Sequence, residues 1–288
     1  MNQRRTIMEK AISISYNERF AENCRYAASA GFSAIAIDYS SVGSGKSDSH
    51  WDAVTANIIK ILEQTGLRCV QTHPVYYDCL MSAEDRGGET ERDMRKAIES
   101  SAKVGAPFCV FHPLIAVTSG YSMDESLEAN KEWYGILLEC ALANGTGVAA
   151  ENLPLFNAPG APLPPLRSNY SLLAPLADYF NDEHMGICWD FGHANQTSKE
   201  EHASLITALG SRIVCTHIHN NYGSVDYHLP PIYGNIEWEK VLPALRDTGY
   251  DGPMTLEVKF PQNADSALLE TFISHNYACL SHIMSNIL

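Results

Sequence analysis

Short apolar runs rich in β-branched and small residues alternate along the chain with longer amphipathic stretches. The first run covers residues 12–16, and a helical pattern follows over about 18–30, closed by Gly31. Glycine ends helices because it takes the left-handed conformation without a Cβ penalty. The second run is 34–38. After it, Trp51, Val54, Ile58, Ile61 and Leu62 recur at spacings of three, four, three and one, which marks one buried helical face. Further apolar runs cover 69–72, 108–111, 148–150, 186–189, 213–219 and 254–258. Residues 92–104 read as a helix between the third and fourth runs, and 265–284 as the last helix. Ser122-x-x-Glu125 and Ser198-x-x-Glu201 fit the capping box, in which two side chains satisfy free backbone N–H groups at a helix start.

Eight strand–helix units are countable, and the strand runs are continuously apolar rather than alternating. That is the pattern of parallel strands covered on both faces. It predicts an α/β fold, a single (β/α)₈ TIM barrel spanning residues 1–288 as one domain. A doubly wound open sheet is disfavoured, because no Gly-rich turn follows the first strand. The Gly/Ser-rich stretch 40–49 and the Pro-rich stretch 153–166 both follow strands. On a barrel they fall on the active-site side and read as active-site loops.

Composition narrows the function classes. The 34 Asp and Glu residues outnumber 20 Lys and Arg, for a formal net charge of −14. Nucleic-acid binders present a basic face to the phosphates, so nucleic acid is disfavoured as a partner. The eight cysteines form no CxxC pair and read as reduced, mostly buried thiols. The first ten residues are polar and no run approaches the roughly 20 apolar residues of a membrane span. A cytoplasmic protein without membrane contact is the expectation.

The chemistry collects at the strand ends. The third run leads into His73 and the fourth into His112. The fifth leads into Glu151-Asn152, and the sixth into Asp190-Phe191-Gly192-His193. The seventh holds His217 and His219, with Asp226 and His228 in the following loop. The eighth leads into Glu257-Val258-Lys259. On a barrel these ends converge on one face. One histidine at a strand end is ordinarily just hydrogen-bonded, but a carboxylate behind an apolar strand needs a cation or strong donor. Several carboxylates packed together repel one another unless a divalent metal intervenes. His217 and His219 are two apart and point to the same side of a strand, at different depths. His219, nearer the strand end, is the expected ligand, and His217 an inner-layer or supporting residue. Histidine-rich N/O ligation favours zinc, while manganese or another first-row ion also fits.

These motifs together resemble the xylose-isomerase-like barrel superfamily, which holds sugar isomerases and epimerases and the endonuclease IV type of repair enzyme. The resemblance covers nearly the whole chain. Its most specific pieces are Glu151-Asn152, Asp190-Phe191-Gly192-His193, Val225-Asp226-Tyr227-His228, Leu256-Glu257-Val258 and Gly234-Asn235-Ile236-Glu237-Trp238. It implies one ion on Glu151, Asp190, His219 and Glu257, with Glu151 and Glu257 as acid and base and His193 orienting substrate. The resemblance to endonuclease IV implies up to three zinc ions, using His73, His112, His193, Asp226 and His228 as well. His217, Asn152 and Lys259 complete the set as substrate-binding residues. The 3-epimerases carry an Arg soon after the seventh-strand His, and residues 220–227 hold none. The chain looks closest to sugar isomerase/epimerase-like members with an HxH-N seventh strand and a downstream DxH. The implied function is a metal-dependent isomerase or epimerase of a sugar, sugar phosphate or polyol ketone, working through an enediolate. The alternative is a zinc phosphodiesterase acting on abasic DNA, and a non-catalytic sugar binder is a third class. The expected partner is a small sugar-like molecule, and a homo-oligomer is compatible with this reading.

Overall fold

Strand and helix alternate in the computed structural model, which describes residues 8–75, 77, 88–114, 123–153 and 169–287. In chain order the elements begin β1 (Lys10–Ser15), α1 (Phe20–Ala30), β2 (Ala34–Asp38), α2 (Asp48–Thr65), β3 (Arg68–His73) and α3 (Glu89–Lys103). They continue with β4 (Phe108–Phe111), α4 (Met123–Asn144), β5 (Gly147–Glu151), α5 (Asn169–Phe180), β6 (Met185–Asp190) and α6 (Phe191–Thr197). The last are α7 (His202–Leu209), β7 (Ile213–His217), α8 (Trp238–Asp247), β8 (Met254–Leu256) and α9 (Ser266–Ile287). The eight strands are parallel and run in the order β7-β6-β5-β4-β3-β2-β1-β8. The ring closes one residue beyond β7: the Ile218 N–H donates to the Thr255 carbonyl at 2.7 Å, and the Glu257 N–H to the Ile218 carbonyl at 3.0 Å. The fold is a TIM barrel, as the strand–helix alternation predicts.

Side chains alternate across a strand, so residues two apart share a face. Val110, Ala149, Cys188 and Cys215 pack together inside the barrel. Across the same interior, the Thr255 hydroxyl donates to the Gln71 side-chain carbonyl at 3.3 Å. Two residues further along each of these strands stand His112, Glu151, Asp190, His217, Glu257 and His73. Six strands therefore deliver one layer of potential ligands directly above a layer that is mostly apolar. Register pairs Asp190 with His217 and sets Glu151 opposite Cys188, so the layer steps between β5 and β6 and is level between β6 and β7.

Two local expectations are corrected. Ser198 does not open a capping box: its hydroxyl reaches Thr197 at 3.5 Å, and a 3-10 turn over Lys199–Glu201 precedes α7. The turn's own backbone bond, Glu201 N–H to Ser198 carbonyl at 3.0 Å, does the work given to the side chains. The seventh strand ends at His217 rather than at His219. Ser122, Cys79 and nearly all of the Pro-rich stretch lie outside the described residues, and the seven described cysteines are free and buried. No helix among the described residues is long and apolar enough to cross a membrane.

His202, the first residue of α7, is buried against Trp189 and Phe191 and accepts a hydrogen bond from the Trp189 indole N–H at 3.1 Å. Burial pushes its imidazole down to about 3, against a weaker upward pull from Asp190. The folded form therefore refuses a proton that the unfolded chain accepts below about pH 6.5. Stability from this group is full above that pH and is lost as pH falls, at about 1.4 kcal/mol per pH unit. Denaturant titrations at pH 7 and 5 should show the wild type losing roughly 2 kcal/mol more than His202→Gln. Equal losses in both proteins contradict this reading.

Candidate metal centre

The top of the barrel holds three groups of potential ligands, two of which share Glu151, and within each group the nitrogen and oxygen atoms lie within 4.8 Å of one another. The first joins β3, β4 and β5. His73 Nε2 and His112 Nε2 stand 3.4 and 3.3 Å from Glu151 Oε2 and 3.3 Å from each other. The second holds Glu151, Asp190, His217 and Glu257. His217 Nδ1 lies 2.8 Å from Glu151 Oε1, 3.5 Å from Glu257 Oε2 and 3.8 Å from Asp190 Oδ2. Glu151 belongs to both groups, one oxygen facing each.

The third group, His193, His219, Asp226 and His228, lies on α6 and on the loop after β7. Asp226 Oδ2 is 3.2 Å from His193 Nε2 and 2.9 Å from His228 Nε2. His219 connects this group to the second through a 3.0 Å contact between its Nε2 and Asp190 Oδ2. His228 has a φ of 49°, a left-handed conformation that costs a residue with a Cβ. Neighbouring bonds hold it there: Leu229 pairs with Asn220 in both directions at 2.8 and 3.0 Å, and the His228 Nδ1–H donates to the Glu257 carbonyl at 2.8 Å.

Asp190 explains the spacing of Asp190-Phe191-Gly192-His193. It ends β6 and caps α6, its Oδ1 accepting the His193 backbone N–H at 2.6 Å. One turn of chain thus brings its carboxylate beside the His193 ring. That ring donates Nδ1–H to the Asn152 carbonyl at 2.7 Å, which leaves Nε2 for Asp226.

Electrostatics follow from burial and neighbours. Burial pushes Glu151 toward the neutral acid, but His217, His112 and His73 outweigh it and hold its carboxyl well below the usual range. Burial opposes charge on His217, yet Glu151, Glu257 and Asp190 raise it well above an ordinary imidazole. The same contest, won by Asp190, Asp226 and Glu151, carries His193 up to about 10. His228 rises to about 9, where Asp226 and Glu257 overcome burial.

The donor set fits divalent metal on three grounds. A tetrahedral ion with bonds of about 2.05 Å keeps its ligand atoms about 3.3 Å apart, and the His73, His112 and Glu151 atoms stand 3.3–3.4 Å apart. His193 and His228 each give one ring nitrogen to a backbone carbonyl, the arrangement that orients metal-ligating histidines. Glu151 Oε2, Asp226 Oδ1 and His219 Nδ1 are buried yet form no hydrogen bond with any described residue. Such atoms cost about 1–3 kcal/mol each unless something satisfies them.

The structure brings together every residue expected as a ligand, with one exchange of position. His217, not His219, shares the group with Glu151, Asp190 and Glu257, because its side chain belongs to the strand layer. His219 lies beyond the strand and faces Asp190 from the other side. The amide of Asn152, expected to meet substrate, is engaged at both ends by the Asp190 backbone, at 2.8 Å to the carbonyl and 2.7 Å from the N–H. It extends the β5–β6 pairing by one rung and fixes Asp190. Lys259 is exposed at the rim, its backbone N–H bonded to the His228 carbonyl.

Two features went unremarked in the sequence. Asp38, in register with His73, accepts hydrogen bonds from Ser15 at 2.6 Å and Ser40 at 2.7 Å, so the rim above β1 and β2 is polar as well. Gly192 lies under the His219 ring, where a Cβ would stand 1.9 Å from Cε1. Gly192→Ala should displace that imidazole, lowering kcat/KM roughly 100-fold while costing about 1–3 kcal/mol of stability. Steady-state kinetics and a melting curve check this, and unchanged kinetics would show that the position of His219 does not matter.

Residues 24–272 match a family model described as xylose isomerase-like TIM barrel. The chain belongs to that family. The chain is 31% identical over 169 residues to an uncharacterized protein of Methanocaldococcus jannaschii, covering 58% of this chain and 55% of that one. It is 28% identical over 169 residues to an uncharacterized protein of Sinorhizobium fredii, covering 57% and 51%. The chain thus spans about half the length of the curated relatives it matches. Solved structures with the same fold include a D-tagatose 3-epimerase-like protein, with a TM-score of 0.70 at 22% identity over 98% of this chain and 100% of that one. Another is the D-allulose 3-epimerase from Methylomonas sp., with a TM-score of 0.72 at 17% identity over 98% and 99%. At these identities the likeness is one of fold.

Proposed function

We propose that this chain is a metal-dependent isomerase or epimerase acting on a sugar or a related polyhydroxy ketone. The observation that carries the reading is the placement of two glutamates around one centre. Glu151 ends β5 and Glu257 follows β8, three strands away round the barrel, and both face His217 at 2.8 and 3.5 Å. A divalent ion held by Glu151, Asp190, His217 and Glu257 would polarise the carbonyl of a bound hydroxy-ketone. One glutamate removes a proton from the carbon beside the carbonyl, and the other returns a proton from the opposite side. Return to the same carbon inverts it, and return to the former carbonyl carbon, with the hydroxyl proton passing to the former carbonyl oxygen, moves the carbonyl. Glu257, with its side chain 23% exposed, exchanges protons with water more readily than Glu151 at 1%. The net charge of −14 supports a small neutral substrate over a polyanion, as does the fold shared with sugar 3-epimerases.

Incubating the metal-loaded protein with ketoses and aldoses in D₂O tests this. Deuterium should appear on the carbon next to the carbonyl, and Glu151→Gln should abolish its uptake. A loaded protein inert across the panel rejects the reading. The continuity of all three groups favours a second one, a zinc phosphodiesterase of the endonuclease IV type, in which His73, His112, His193, Asp226 and His228 hold further ions. Cleavage of an abasic duplex, lost in Glu151→Gln, would put it first. No binding to that duplex at low salt, where electrostatic attraction is strongest, removes it.

A further inference from the structure

The inner ligands come from strands whose register fixes them. Asp226 and His228 do not: they ride on the segment between β7 and α8, and something must hold that segment against α6. Two adjacent buried asparagines begin it, and their bonds differ in kind. Asn220 ties the segment to itself. Its Oδ1 accepts the N–H groups of Asn221 at 2.9 Å and Ile236 at 3.2 Å, and its Nδ2 donates to the Pro231 carbonyl at 2.7 Å. Asn221 ties the segment to α6. Its Nδ2 donates to the Gly192 carbonyl at 2.8 Å, and its Oδ1 accepts from Gly223 N–H at 2.8 Å and from Asn195 Nδ2 at 2.9 Å. Gly192 immediately precedes His193, and Gly223 stands three residues before Asp226. Asn221 is fully buried, and its side-chain bonds go to Asn195, Gly192 and Gly223 rather than to a potential ligand.

We propose that Asn221 is the positioning residue that assembles His193, His219, Asp226 and His228 into an outer metal-binding unit, separable from the inner layer. The inference rests on the metal reading above but not on sugar turnover. An amide is required because the site asks for a donor toward Gly192 and an acceptor for two N–H groups at once. The inner groups lie at strand ends to which the Asn221 side chain makes no hydrogen bond, so its loss should leave them intact.

The test is the zinc content of the whole chain after equilibrium dialysis against graded free zinc, compared for wild type, Asn221→Ala, Asn195→Ala and Asp226→Ala. Wild type should hold more than one ion. Asn221→Ala should weaken one of them roughly 10–100-fold, matching Asp226→Ala, while the tightest ion stays within about threefold. Asn195→Ala removes the donor to Asn221 Oδ1 together with its bonds to the Asn221 carbonyl and Asn235 Oδ1 but leaves the Asn221–Gly192 bond, so it should weaken the same ion by a smaller factor, and it carries the test if Asn221→Ala does not fold. A single ion in wild type, equal weakening of all ions, or unchanged zinc content in Asn221→Ala overturns the proposal. An inert sugar panel with this pattern of zinc loss would reject only the proposed reaction.

Discussion

Glu151→Gln should lower kcat/KM by roughly 10³-fold or more, the scale of a lost general acid or base. Glutamine keeps the shape but removes the charge that three imidazoles face. Glu151 Oε1 meets His217, and Oε2 meets His73 and His112. Among the described residues, Glu151 alone is a member of two of the three groups. The same substitution should therefore weaken zinc binding by roughly 10–100-fold, using the scale known for disturbed metal surroundings. Glu257→Gln should match the loss of turnover with a smaller loss of metal, because Glu257 is partly exposed and belongs to one group. Steady-state kinetics beside metal analysis separates the effects. Retention of a tenth of wild-type kcat/KM in Glu151→Gln would remove it from the chemistry.

Chelation should lower the melting temperature by roughly 8 °C. A ligand held 1,000-fold above its Kd stabilises the folded form by about 4 kcal/mol, and a domain of this size shifts about 2 °C per kcal/mol. The stripped site leaves four carboxylates and six imidazoles to neutralise one another. Zinc added back should restore stability fully at pH 7.5 and only weakly at pH 5.5, because ligating imidazoles must first lose their protons. Thermal scans with chelator and with zinc at both pH values measure this. A melting temperature indifferent to chelator and zinc would leave the ion without a structural hold.

Much of this was legible in the sequence, and the exceptions share a physical cause. Eight apolar runs reported the strands because parallel strands are buried on both faces. The residues that end or follow them meet in one layer of potential ligands because a barrel brings strand ends together. The choice between His217 and His219 was not legible. Both lie on one side of the chain by parity, and only the β6–β7 register, which pairs Asp190 with His217, places His217 in the strand layer. Asn152 misled for a related reason. Its place beside Glu151 suggested contact with substrate, but its amide bonds to Asp190, 38 residues away. Ser198 and Glu201 carry the letters of a capping box, yet a 3-10 turn intervenes before α7. Local patterns gave the elements and the donors, while long-range register decided which donors meet.

Anomalous diffraction at the zinc edge, from crystals of the zinc-loaded protein, is the most direct test of the metal centre. The expected result is a peak bonded to Glu151, Asp190, His217 and Glu257. The contradicting result is zinc elsewhere on the surface, with those four side chains bonded only to one another and to water.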